Sequence, residues 1–86
     1  MYFAYSPQFR KRYAKLLKKT QKQVDERLLL FAQESFHPQL KNHKLHGEYA
    51  GYRSINASGD LRIVYKTKTD GSVLLFTLGT HPELYE

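Results

Sequence analysis

The chain has 86 residues, no cysteine, 41% hydrophobic content and a formal net charge of +6. That length predicts one domain, residues 1–86, with a modest core, and the missing cysteine excludes disulfides and thiolate metal sites and suits a reducing cytoplasm. No stretch approaches the roughly 20 apolar residues that a bilayer span needs, and the first residues offer no signal-peptide run, so no membrane partner is expected.

In chain order, residues 2–6 (YFAYS) are aromatic and weakly alternating, which predicts a short strand. Ser6 and Pro7 have the chemistry of an N-cap followed by proline at the first helical position. Phe9, Tyr13, Leu16 and Leu17 then follow the spacing of one buried helical stripe, with Lys and Arg between them. Thr20 and Gln23 match a capping box, predicting that a second helix begins there. Val24, Leu28, Phe31 and Ala32 continue the apolar stripe along it. His37 before Pro38 closes the helical region, because the residue before proline avoids the helical well. Residues 37–50 are expected to be a loop with one turn near 39–42. Residues 51–56 read as a strand, 57–60 as its turn, and 61–66 as a second strand by β-branched and aromatic content. Thr69-Asp70-Gly71-Ser72 is a turn signal. Residues 73–78 are almost wholly apolar, which predicts a central strand buried on both faces. The order β-α-α-β-β-β, with three strands joined by tight turns, requires an antiparallel sheet covered on one side by a helical hairpin. The fold class is therefore α+β in two layers.

Charge is uneven along this map. Residues 7–27 hold Arg10, Lys11, Arg12, Lys15, Lys18, Lys19, Lys22 and Arg27 against Asp25 and Glu26, which accounts for the whole excess. Such a surface attracts polyanions, either nucleic acid or an acidic protein; alternatively it is a solvated helix face.

The strand period places Tyr52, Ser54 and Asn56 on one face, and Asp60, Arg62 and Val64 on one face of the next strand. The turn at 57–60 brings Asn56, Asp60 and Arg62 together. The 42–50 loop leads to that region, and the chain end, 79–86, can drape over it. The candidate set is then His43, Lys44, His46, Tyr52, Arg53, Asp60, Arg62, His81 and Tyr85, with Asn56 beside them. The mixture suits RNA cleavage. Histidine can take a proton from a 2′-hydroxyl and give one to a leaving 5′-oxygen. Arginine and lysine can neutralise the phosphorane, and tyrosine can stack unpaired bases. Each residue taken singly has a plainer account as a loop, turn or strand polar group. His43-x-x-His46 with one distant histidine falls short of a zinc set, so no metal and no cofactor are expected.

Three blocks carry a resemblance. They are His43-Lys44-Leu45 with Gly47, Tyr49, Gly51, Tyr52 and Arg53; Gly59-Asp60-Leu61-Arg62-Ile63-Val64-Tyr65; and Gly79-Thr80-His81 with Leu84 and Tyr85. Together they resemble the YafQ-like branch of the RelE/ParE toxin superfamily along essentially the whole length. The resemblance implies a type II toxin that enters the ribosomal A site and cuts messenger RNA by 2′-hydroxyl attack without a metal. It also implies partners: a cognate antitoxin, the ribosome with its message, and operator DNA only through the antitoxin complex. Matched residue by residue, His43, Asp60, His81 and Tyr85 fall on the family's functional positions. Asn56 stands where a further histidine is usual, and Leu61 where tryptophan is frequent. Arg62 resembles the arginine of RelE proper. The roles expected are His81 as general acid, His43 helped by Asp60 as base, and Arg62 as charge balance with Lys44 or Arg53. Tyr85 and Tyr52 hold a base, while His46 and Asn56 line the site. Two other readings are a ParE-like gyrase poison that cuts no RNA, and a domain that only binds RNA through its basic helices.

Overall fold

The structure, a computed structural model, describes residues 1–85. Its order is β1 (Phe3–Tyr5), α1 (Pro7–Ala14), α2 (Lys18–Gln33), β2 (His43–Lys44), β3 (Arg53–Ser58), β4 (Leu61–Thr67), β5 (Val73–Thr80) and α3 (His81–Tyr85), with 3-10 turns at Pro38–Leu40 and Gly47–Tyr49. The five strands form one sheet in the order β1-β5-β4-β3-β2. β2 through β5 pair antiparallel, and β1 joins β5 in parallel. The architecture is mixed α+β, as the pattern of elements predicts.

Ser6 makes the first corner. Its side chain caps α1 by accepting from the Phe9 amide at 3.0 Å, while its hydroxyl donates to the Phe76 carbonyl. Phe76 is the extra residue where β5 slips register against β4, between the pairs Val64–Thr77 and Tyr65–Leu75. A bulge frees one residue's backbone from the ladder, and the cap that starts α1 takes up that carbonyl.

The helices cover one face. Phe9, Val24, Leu28 and Phe31 pack with Ile55, Ala57, Leu61, Ile63, Tyr65, Val73, Leu75 and Leu78 in one cluster. Phe31 meets Tyr65 edge to face with ring centroids 4.8 Å apart, a pairing worth about 0.5–1.5 kcal/mol beyond area burial.

Several expectations need correction. α2 starts at Lys18 with Leu17 as an N-cap lacking a side-chain bond, so Thr20 lies inside the helix. The glutamines around it make tertiary bonds instead. Gln21 Nε2 donates to the Tyr13 carbonyl at 2.8 Å, and Gln23 Oε1 accepts from the Ser58 hydroxyl at 2.6 Å. Leu17 occupies the interhelical corner and is 78% exposed, and Ala32 faces solvent. β3 begins at Arg53 rather than 51, and runs past Asn56 through a register shift to Ser58. β5 is central, yet Leu74 and Phe76 are only half-buried. β2, inside the expected loop, adds a fifth strand, and residues 81–85 form a helix. Glu86 lies outside the described residues.

Candidate active site

β2 owes its place to Asn42. The Asn42 amide donates to the Ser35 carbonyl at 2.9 Å and to the Tyr65 hydroxyl at 2.8 Å. Its oxygen accepts from Arg53 Nε at 2.8 Å. One side chain thus ties the exit of α2, strand β4 and strand β3 to the residue just before His43. Arg27 adds a bond to the Gln39 carbonyl at 3.1 Å. The His37 ring accepts from the Gln39 amide and caps the 3-10 turn, so its role is local.

Lys41 takes the left-handed conformation, φ 49°, and its carbonyl lies 2.7 Å from His43 Nδ1. A carbonyl oxygen only accepts, so Nδ1 carries the proton, and Nε2 is the lone-pair nitrogen of the neutral ring. The neighbour of Nδ1 is thus a backbone carbonyl and not the Asp60 carboxylate. Asp60 sits exposed on the β3–β4 turn and is not among the residues lining the cleft described below.

Beyond β2 the chain folds back through tight turns. The Leu45 amide donates to the Tyr52 carbonyl at 3.0 Å, and the Tyr52 amide to the Tyr49 carbonyl at 2.9 Å. Gly47 and Gly51, at φ 65° and 91°, make this reversal in backbone conformations that side chains disfavour. The loop carries Tyr49 and Tyr52 onto the sheet face away from the helices. There Tyr52 packs on Phe76 with centroids 5.0 Å apart, and Tyr49 meets both Phe76 and Tyr85 edge on. Ser54, Val64 and Thr77, adjacent across the sheet on that face, are buried. The face expected to be bare is therefore roofed at this end by the loop and α3.

α3 begins with one half of a capping box. The Glu83 carboxylate accepts from the Thr80 amide at 2.7 Å. That backbone bond, then the Thr80 side chain, and a weaker pull from Arg12, hold the Glu83 carboxyl below the usual range. Gly79 lets Arg12 approach closely here: a Cβ would come 2.7 Å from Arg12 Nη1 and 3.3 Å from Glu83 Cβ, so the guanidinium would have to shift. The folded pKa lies below the unfolded one, so the cap contributes fully above the ordinary glutamate range and is lost as pH falls through the folded value. In an acid NMR titration, the His81 and Tyr85 ring signals are expected to shift together with the Glu83 carboxyl. In Glu83→Gln that coupled step should be absent.

On α3, His81 and Tyr85 lie one turn apart with ring centroids 4.8 Å from each other. An open cleft of about 350 Å³ is lined by His43, Lys44, His46, Arg62, His81 and Tyr85, together with Leu45. Arg62 is half-buried, paired across the ladder with Asn56 and Gly79, and bonded weakly to the Gly59 carbonyl at 3.4 Å. The remaining expected residues stand apart. Arg53 pairs with Tyr65, on the helix-covered face, where its guanidinium holds Asn42 and lies 5.2 Å from the Phe36 ring. Tyr52 lines a neighbouring groove with Lys44 and Lys66, its ring 5.5 Å from Lys66 Nζ. Asn56 lies opposite Arg62 on β3. Sequence reasoning missed Asn42 and the carbonyl of Lys41, whose partners are distant or belong to the backbone. It quoted Tyr49 without assigning it a place in the site.

The sequence matches, over residues 1–86, the family described as bacterial toxin of type II toxin–antitoxin system, YafQ. The chain belongs to the YafQ toxin family. Among solved structures it is similar to YafQ from E. coli strain BL21(DE3), with 25% identity, a TM-score of 0.78, and 98% and 97% of the two chains covered. It is also similar to a copper-bound mutant toxin from Helicobacter pylori, with 27% identity, a TM-score of 0.80, and 99% of each chain covered. YoeB in the YoeB–YefM complex of Staphylococcus aureus shares the fold at 24% identity and a TM-score of 0.75, with 94% and 97% covered. No curated protein sequence matches the chain. Among the described residues, no helix of this YafQ-family toxin is long and apolar enough to cross a membrane.

Proposed function

We propose that this toxin is an endoribonuclease that cuts messenger RNA on the ribosome by attack of a 2′-hydroxyl on the adjacent phosphate. The observation that carries the reading is the single cleft lined by His43, Arg62, His81 and Tyr85. His43 Nε2 takes the 2′-hydroxyl proton while the 2′-oxygen–phosphorus bond forms. Arg62 and Lys44 balance the phosphorane charge. His81 protonates the 5′-oxygen as its bond to phosphorus breaks, leaving a 2′,3′-cyclic phosphate and a free 5′-hydroxyl. Tyr85 offers a ring for base stacking, worth about 1–3 kcal/mol per base. No step requires a metal. The gyrase reading has no use for two histidines and an arginine lining one cleft.

The basic residues of α1 and α2 suit ribosomal RNA, and their charge suits an acidic antitoxin segment. YoeB of S. aureus forms a complex with YefM, which supports an antitoxin partner for this chain, with operator DNA reached only through that complex. A cytoplasmic location follows from such partners. The test is primer extension on a defined message with purified toxin. Cuts inside codons at the ribosomal A site, absent without ribosomes, are expected. A toxin that leaves translated messages intact would refute the assignment.

A further inference from the structure

A second cavity, of about 250 Å³, is lined by His46, Glu48, Tyr49, Leu84 and Tyr85. It shares His46 and Tyr85 with the cleft, so those two side chains stand between the cleft and the cavity. Tyr49 and Tyr85 meet at 88° with centroids 5.8 Å apart, which gives the cavity two aromatic walls. The unexpected member is Glu48. In a chain of net charge +6 whose cleft receives a phosphodiester, a carboxylate at this position weakens backbone attraction. It offsets that cost where it accepts hydrogen bonds from a base.

Single-stranded RNA is read largely through the Watson–Crick edges of unpaired bases, with stacking on aromatic rings. Two carboxylate oxygens accept two parallel N–H donors. Guanine alone presents two adjacent donors on that edge, N1–H and the 2-amino group. Adenine and cytosine present one donor beside an acceptor, and uracil one donor between carbonyls. Resting on the ribonuclease reading above, we propose that this cavity seats the base adjoining the cut and that Glu48 selects guanine there.

The experiment uses purified toxin, ribosomes, and messages that differ only in the bases flanking one A-site cut. At one flanking position, guanine is expected to be cut on the order of tenfold faster than adenine. Glu48→Gln has an amide that accepts once and donates once, which matches adenine; this variant should reverse the preference while cutting continues. Glu48 is exposed, so folding is not at stake. Equal cutting of all four messages by the parent overturns this inference alone, as does a guanine preference unchanged in Glu48→Gln. A parent that cuts none of them defeats the ribonuclease reading, and this inference falls with it.

Discussion

Replacing His81 with alanine is expected to lower the single-turnover rate of message cleavage by about 10²–10⁴, and His43→Ala by a similar factor. In the proposed mechanism each removes one end of the proton path. The double variant should fall little below either single one, because groups acting as a unit lose their function together. The parent rate requires one neutral and one protonated imidazole, so its pH profile should be bell-shaped, with one limb lost in each single variant. Assignment is possible from the limbs. In the proposed mechanism His43, whose Nδ1 donates to the Lys41 carbonyl, is the base, so His43→Ala should flatten the acid limb. His81→Ala should flatten the alkaline limb. Quench-flow cleavage of a ribosome-bound message measures both. Parent-like rates in His81→Ala would remove it from the mechanism.

The second large effect is structural. Asn42→Leu removes three side-chain hydrogen bonds and leaves the buried Tyr65 hydroxyl and the Ser35 carbonyl without their donor. An unsatisfied buried group costs about 1–3 kcal/mol, and with Ser35 only half-buried a loss of about 1–3 kcal/mol is expected. Urea unfolding followed by circular dichroism measures it as a lower midpoint with an unchanged slope. Tyr65→Phe is the companion variant. It removes one partner and should cost less, and combining the two should cost less than their sum because they share a bond. The remaining folded Asn42→Leu protein should also cut slowly, since His43 follows directly on the lost anchor. An unshifted midpoint would show that Asn42 does not hold β2 in place.

Which features could be read from the sequence depends on the range of the forces involved. Ser6-Pro7 could be read because an N-cap acts over three residues, and the Leu61-Ile63-Tyr65 alternation because strand period is local. The helical hairpin followed from one apolar stripe. Thr20 and Gln23 misled because their spacing matches a cap while the local polar groups are used across the fold, Gln23 toward Ser58 some 35 residues away. β2 has only two residues, so no period exists to detect; its strand character comes from Ser54 and Arg53 opposite it. The cleft was legible in its ionisable members, His43, Arg62, His81 and Tyr85, because those types are chemically distinctive. Its supports were not. Asn42 is one asparagine among loop residues until Ser35, Tyr65 and Arg53 converge on it, and the Lys41 carbonyl has no side-chain signature at all. The partner of His43 Nδ1 was hidden for the same reason: chemistry pointed to the Asp60 carboxylate, and the atom at 2.7 Å is the Lys41 backbone carbonyl.

The central claim is that His43, Arg62 and His81 act on one phosphate through its neighbouring 2′-hydroxyl. It is tested most directly by the ends of the cut message. With ribosomes and purified toxin, the upstream fragment should end in a 2′,3′-cyclic phosphate and the downstream fragment should begin with a 5′-hydroxyl. A message carrying a single 2′-deoxyribose at the cut should remain whole. A 5′-phosphate on the downstream fragment, or cleavage of the deoxy-substituted message, would contradict it.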